Sequence, residues 1–461
     1  MKTIIVGNGI LGLTTAYRLI KRDQNAEIII IGPEDNKGCA SLAAAAMFNS
    51  FCEIDSHTLS NNIEKQKWLF NKSSTPYWPN FLKEIQHDSG IQQEYGFGTY
   101  LINNHVTDDL EDENFDAIVN ALKEYNEPFS YIDPKTIKNY NPDAQGRAAR
   151  GIYIDGEGWV NPTLLMLGLK KALLKNNNVK FIHAYAEHLI QENGIISHVV
   201  LDNKSIVQGD IYFVAPGATF SKIMEASNFK LNFPKIFYGV GSSILLKTDT
   251  KTLSNCVRTP NRGLACGVYS APQDSEHTLV GASNFISPWP EDFARITSVY
   301  TLLKSAMEQI NTDYYRSHLV KVNVGWRPTS EDTLPLLGKT TISNLLVATG
   351  TKRDGLHCSP VISEFISDLI LDGKSKHDLS LFTPERDVAR IYTREEAISI
   401  VVRHTINAAY QHDFKPSKNR MIEQLEKFYQ DEFNQLHDKV GAHDWGIPPE
   451  MVDMYKYGHT K

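Results

Sequence analysis

The apolar positions at the amino terminus change period within a few residues. Lys2 to Val6 is a short apolar run of the length of a buried strand, and it stops at Gly7-Asn8-Gly9-Ile10-Leu11-Gly12. From Leu13 to Lys21 the apolar residues recur at helical spacing, and Glu27 to Ile31 reads as a second strand. Far along the chain, Val361 to Leu371 has the pattern of an amphipathic helix. Arg394 to Tyr410 and Ser417 to Leu436 predict two long charged helices, the first with Ile400, Val401, His404, Ile406 and Ala408 on one stripe. The turn-rich segment Gly441 to Pro449 surrounds Trp445 and is expected to dock on the body of the protein.

The glycine turn has a specific use where it stands. Gly7 permits the tight turn, Gly9 lets a pyrophosphate approach the backbone, and Gly12 lets the helix pack on the sheet. The backbone N–H groups of Ile10, Leu11 and Gly12 then open a helix whose positive end suits a phosphate. Nucleotide-binding folds of this kind place an acid for the ribose at the end of the second strand, about 20 residues past the last glycine. Gly32 stands there, so Glu34 is the candidate acid, with backbone groups and solvent as the alternative.

Composition narrows the setting. The 461 residues suggest about two or three domains, and 41% hydrophobic with 22% charged residues is ordinary for a soluble globular chain. The longest apolar stretches, such as Ala43 to Phe48, fall far short of the ~20 residues a membrane span needs. The first strand runs directly into the glycine turn with no signal-peptide cleavage pattern, so a cytoplasmic location is expected. A net charge of −7 gives no electrostatic case for nucleic acid as the main partner. Cys39, Cys52, Cys256, Cys266 and Cys358 form an odd set without CxxC spacing, and the histidines show neither HxH nor HExxH. Reduced thiols and no metal site follow.

Several segments together resemble, in the same order, the D-amino-acid oxidase and glycine oxidase family of FAD-dependent oxidoreductases. They are the glycine turn, Cys39 to Met47, Gly156 to Pro162, Val179 to Leu189, Asp210 to Ala218, Gly325 to Gly338, Leu345 to Gly350, and the loop Gly350 to Pro360. The resemblance covers Met1 to about Asp372. It implies an α/β fold, α+β overall, in which a Rossmann-like FAD-binding domain is interleaved with an antiparallel-sheet substrate domain. The expected division is 1–50, 145–230 and 330–385 for FAD, 51–144 and 231–329 for substrate, and 386–461 for a helical carboxyl-terminal extension.

The resemblance also implies site residues. Ser41, Ala44, Ala45 and Met47 would run beneath the cofactor, His188 would lie near adenine, and Ala215 and Gly217 would return to the cofactor. Gly350, Asp354, Gly355 and Leu356 would form the flavin-covering loop, with Pro162 in a first helical turn. Arg327, in Gly-Trp-Arg-Pro, matches the arginine that grips a substrate carboxylate and touches the cofactor, a task suited to a guanidinium fork. The alternative for Arg327 is an ion pair with Glu331 or Asp332. Tyr269 matches a tyrosine whose hydroxyl faces that carboxylate, with a half-buried core tyrosine as the alternative. Arg258 and Arg262 suit either a larger anionic substrate or plain solvation, and Lys352, Arg353 and His357 place charge in the flavin loop, Lys352 being expected to be exposed. Cys358 is expected to be a packing residue rather than a covalent flavin link.

The implied activity is oxidation of a C–N bond in a small amino acid or amine, by hydride transfer to flavin N5. Oxygen or another acceptor would reoxidise the flavin. A flavin-dependent tailoring enzyme acting on a specialised or carrier-bound metabolite is the second class, and a flavin-bearing scaffold with a working tail is the third. The terminal helices would pack on the enzyme, cover its site as a lid, or form a homo-oligomer or partner surface.

Overall fold

The computed structural model describes residues 1–263, 266–414 and 416–460, and two large sheets organise it. The first has six strands, in the order Leu336–Lys339, Leu345–Thr349, Ile211–Val214, Lys2–Val6, Glu27–Ile31 and Val179–Ile182. Neighbours are parallel except at the edge, where Leu336–Lys339 runs against Leu345–Thr349. Both faces are covered, which is why these strands read as continuous apolar runs. Ile5, Ile28 and Ile30 pack with the helices Ile10–Arg22, Pro162–Leu174 and Ser359–Leu371. Ile4, Val6 and Ile31 face the other way, onto a three-stranded sheet of Ala186–Glu192, Ile195–Leu201 and Ile206–Val207 and the helix Phe220–Ser227. Each isoleucine fully buried this way contributes about 2 kcal/mol relative to exposure.

The helix Pro162–Leu174 has proline at its first position, and the Asn161 side chain accepts from the N–H groups of Thr163 and Leu164. Proline has no N–H to leave unpaired there, so the sequence dictates where this helix begins.

The second sheet has ten strands. Its main path runs Phe285–Ser287, Ile236–Lys247, His277–Gly281, Tyr269–Pro272, Cys256–Arg258, Tyr95–Asn103, Arg150–Val160 and Met47–Phe48. The long strand His318–Ser330 pairs with Ile236–Lys247, and Phe129–Ile132 pairs with Arg150–Val160. All pairings are antiparallel except Cys256–Arg258 with Tyr95–Asn103. Arg150–Val160 and Met47–Phe48 therefore run in this sheet, although the expected division assigned both to the nucleotide-binding pieces.

The carboxyl-terminal segment forms the helices Arg394–Gln411 and Asn419–Lys439. A capping box opens the first: Thr393 accepts from the Glu396 N–H, and the Glu396 side chain accepts from the Thr393 N–H. Val401 and Ile406 are buried with Phe433, Leu436, Ile447 and Met451 against Phe237 of the large sheet. Trp445 packs at this core's margin with Arg390 over its ring, so the turn-rich segment docks. Among the described residues no helix is long and apolar enough to cross a membrane.

Candidate functional site

A cleft enclosing about 1360 Å³, its open mouth included, lies at the carboxyl ends of the parallel strands, bounded by Val6, Ile31 and Thr349. That is where doubly wound sheets bind their ligands. The glycines explain why it is open. Gly7 has φ +121°, and a Cβ there would stand 2.1 Å from the Ala215 carbonyl oxygen. A Cβ on Gly12 would stand 1.9 Å from the Gly7 oxygen, so strand and helix touch through bare backbone. Gly9 differs: it lines the cleft, and the nearest atom to a Cβ would be Ser41 Oγ at 3.6 Å. Its missing side chain leaves room for something other than protein.

The helix Ile10–Arg22 starts with neither an acidic residue in its first turn nor a side-chain cap from Gly9. The Ile10 N–H donates to Ser41 Oγ at 3.0 Å, while Ile10 and Leu11 line the cleft. A positive helix end with backbone donors beside a bare glycine matches a diphosphate. The segment Ala40–Ala43 continues the wall, and Ala40, Ser41, Ala43 and Ala44 line it. It lies against the strand His318–Ser330, where a Cβ on Gly325 would approach Ala43 Cβ to 2.7 Å. Ala215 and Gly217 form the opposite wall, with Gly217 at φ +65°, and Gly355 and Leu356 close one end.

Several expected contacts lie off this wall. Glu34 is exposed, because the chain turns outward at Pro33, whose carbonyl accepts from Asn8 Nδ2 at 2.8 Å, and Asn36 and Lys37 line the cleft instead. Asn8 also occupies the space beside Gly32, where a Cβ would meet it at 2.3 Å. Ala184, Tyr185 and Ala186 stand where His188 was expected, and a register shift between Ala186 and His188 accompanies the change. Gly350, at φ +70°, turns toward Leu334 and Leu336. Ala45 and Met47 pack with Trp159, Cys256 and Tyr269 below the cleft, and Asp354 lines a neighbouring cavity.

Arg327 lines the cleft from the long strand. Its guanidinium lies over Gly241, where a Cβ would meet Nη1 at 1.9 Å. Nη1 donates to the Ser283 oxygen and to Asn284 Oδ1, each at 3.0 Å. The carboxylates considered as partners are engaged elsewhere: Asp332 accepts from Arg386 at 2.9 Å, and Glu331 accepts from the Tyr455 hydroxyl at 3.1 Å. Arg327 is therefore held by neutral acceptors that orient its charge without cancelling it.

Tyr269 is 2% exposed, and its hydroxyl fills the space beside Gly281. Burial, and then Cys266, push this hydroxyl above the usual phenol range, while Arg327 draws it down, so the two side chains share a field. It stays protonated at neutral pH.

The other cations are not solvated. Arg258 is 0% exposed and donates to Glu53 Oε1 at 2.6 Å, while Arg262 pairs with Glu111 at 2.9 Å. Arg353 pairs with Glu53 at 3.1 Å and donates to Cys266 Sγ at 3.2 Å. Burial alone would raise the Glu53 carboxyl, but Arg258 and Arg353 hold it down at about 2. Lys352, expected on the surface, is 9% exposed and pairs with Glu450 of the extension. His357 Nε2 lies 2.8 Å from the Asn71 oxygen. Cys358 is a buried core residue whose thiol is raised by burial, away from the reactive thiolate form. Glu53 and Glu450 were not singled out in the sequence, and no local motif marks either.

Residues 2–369 match the model of the family described as FAD dependent oxidoreductase, DAO. The chain is 23% identical to glycine oxidase of Geobacillus kaustophilus over 392 residues, which is 84% of this chain and 97% of that protein. In structure it is similar to iminodiacetate oxidase from Chelativorans sp. BNC1, with a TM-score of 0.71 at 18% identity over 83% of this chain and 99% of that one. It is equally similar to the glycine oxidase structure from Geobacillus kaustophilus, with a TM-score of 0.71 at 20% identity over 84% and 99%. The chain belongs to the DAO family of FAD-dependent oxidoreductases, and its cofactor is FAD. Both long terminal helices lie beyond the matched residues.

Proposed function

We propose that this chain oxidises the C–N bond of a small amino acid or amine. A hydride leaves the carbon beside nitrogen for flavin N5, giving an imine and reduced flavin that oxygen or another acceptor reoxidises. FAD, when bound, supplies the hydride acceptor. The observation that carries the reading is Arg327, a cleft-lining guanidinium over a glycine whose hydrogen-bond partners among the described residues are neutral. A substrate carboxylate fits it, because a guanidinium fork can offer two parallel donors to a planar anion. The names of the relatives, oxidases of glycine and of iminodiacetate, support a small amino acid with a free carboxylate. Tyr269 lies off the cleft wall, in the core with Ala45 and Met47, and is assigned only a part in the field around Arg327.

For the cofactor, the assigned residues are Gly7, Gly9, Ile10 and Leu11 at the diphosphate, with Gly12 behind them where the helix packs on Gly7. Ser41 and Ala44, Ala215 and Gly217, and, for the flavin, Gly355 and Leu356 would hold the rest of it. Glu34, Ala45, Met47, His188, Gly350 and Asp354 leave this set because each sits off the cleft wall. The segments 1–50, 145–230 and 330–385 are proposed as the FAD domain and 51–144 with 231–329 as the substrate domain, the strand Arg150–Val160 going to the latter.

The test is anaerobic mixing of the yellow protein with glycine, iminodiacetate and a panel of amino acids and amines. Bleaching of the flavin by at least one, and its loss in Arg327→Ala, is the expected result. An FAD-loaded protein that no amine bleaches would overturn the reading.

A further inference from the structure

A second cavity, of about 730 Å³ with its mouth included, adjoins the cofactor cleft. Lys352 and Arg353 line both, so one loop separates the two spaces. Its other walls come from the segment around Asp55, the helix Asn62–Ser74 and the carboxyl-terminal extension through Tyr392, His404 and Glu450.

Most of its charge is already matched. Glu53 holds Arg353, Glu64 faces Lys67 at 3.7 Å and accepts from the Tyr392 hydroxyl at 2.8 Å, and Glu450 Oε1 holds Lys352. Four lining atoms are buried with no hydrogen-bond partner among the described residues: Glu53 Oε2, which has Arg353 in ion-pair range, and Asp55 Oδ1, Glu450 Oε2 and His404 Nδ1. His404 is 8% exposed. Burial lowers its pKa to about 4, so the ring is neutral and one nitrogen keeps a free lone pair. Leaving Asp55 Oδ1, Glu450 Oε2 and His404 Nδ1 buried and unpaired opposes folding unless a ligand answers them.

We propose that this cavity is a binding site for a small organic cation, held through a primary ammonium group whose N–H donors reach Asp55, Glu450 and His404. The site goes beyond the proposed oxidation and does not depend on it. An ammonium carries three donors and no acceptor, the complement of these atoms. An anion is disfavoured, because five lining carboxylates surround the cavity and the cations facing them, Lys67, Lys352, Arg353 and, behind Glu53, Arg258, are each ion-paired.

The experiment is calorimetric titration of the FAD-loaded full chain with methylammonium chloride, with tetramethylammonium chloride as a cation of equal charge lacking N–H donors. Saturable methylammonium binding is expected, weakened about tenfold or more in Asp55→Asn and in His404→Phe, as loss of a charge-assisted or neutral acceptor implies. Arg327→Ala, at the cofactor cleft, should leave it unchanged. Thermal melts confirm that each variant is folded, and His404→Phe serves if Asp55→Asn is not. No saturable binding, equal binding of tetramethylammonium, or unchanged binding in a folded Asp55→Asn or His404→Phe variant would each overturn the site. Failure of the oxidation reading shows separately, as an FAD-loaded protein that no amine bleaches.

Discussion

Lys352, on the loop beside the cofactor cleft, is ion-paired with Glu450, 98 residues further along and within the carboxyl-terminal extension. The extension is thus electrically part of the cofactor loop. Glu450→Gln leaves Lys352, 9% exposed, without its partner. Loss of about 3 kcal/mol is expected, the low end for removing one member of a buried pair. Denaturant unfolding of the FAD-loaded protein reads it, and a change below about 0.5 kcal/mol would mean the pair is solvated.

Arg327→Ala should lower kcat/KM on a carboxylate substrate by about a hundredfold, roughly 3 kcal/mol of transition-state binding. Arg327→Lys should recover only part, because a lysine ammonium cannot offer the planar fork. Steady-state kinetics on both variants decide this, and a fall of less than about threefold in Arg327→Ala would remove the carboxylate role.

Gly9 and Gly7 should respond differently to an added methyl. Gly9 has ordinary helix-entry geometry and room for a Cβ, with its nearest neighbour at 3.6 Å. Gly9→Ala should therefore keep the cofactor-free protein within about 0.5 kcal/mol of its stability while FAD retention falls, because the methyl enters the cleft. Gly7→Ala combines φ +121° with a 2.1 Å clash and should destabilise the fold by about 3 kcal/mol or more. Melting curves with and without FAD, together with flavin absorbance per protein, separate the two. Equal loss of stability would contradict the assignment of Gly9.

His404 gives a pH signature. Its pKa is about 4 in the fold, because burial opposes the charged ring, against the ordinary value of 6.5. Between those values the unfolded chain binds more protons, so stability rises with pH. The contribution is complete above about pH 6.5 and is lost as pH falls toward 4, on the order of 3 kcal/mol in all. Glu53, held at about 2, adds a further loss in the same direction below about pH 4.5. Unfolding free energies at pH 7 and 4.5, measured for the protein and for His404→Gln, should show a shallower slope in the variant.

How much was legible in the sequence follows the range of the forces. The glycine turn was readable because Gly7, Gly9 and Gly12 act through backbone geometry over six residues. The opening strand and helix and the Pro162 helix start were readable for the same local reason, whereas of the expected stripe only Val401, His404 and Ile406 are buried, with Ile398 and Val402 beside them unread. Lys352 is expected to be exposed and plain solvation is one of two readings for Arg258 and Arg262, because isolated charges usually are solvated. Their partners, Glu53, Glu111 and Glu450, arrive only when distant segments meet, as with the 205 residues between Arg258 and Glu53. Glu34 shows the converse error. Its distance from the glycines suited a ribose contact, but the outward turn at Pro33 carries it to solvent, a direction that spacing does not encode.

The central strand Lys2–Val6 is flanked by Ile211–Val214, which in turn borders Leu345–Thr349. The first strand therefore has one neighbour close in sequence, Glu27–Ile31, and one about 200 residues away, and that distant neighbour is itself bordered by Leu345–Thr349. A chain cut before residue 345 would leave Ile211–Val214 as an open strand edge beside the cofactor cleft, a template for pairing with another chain.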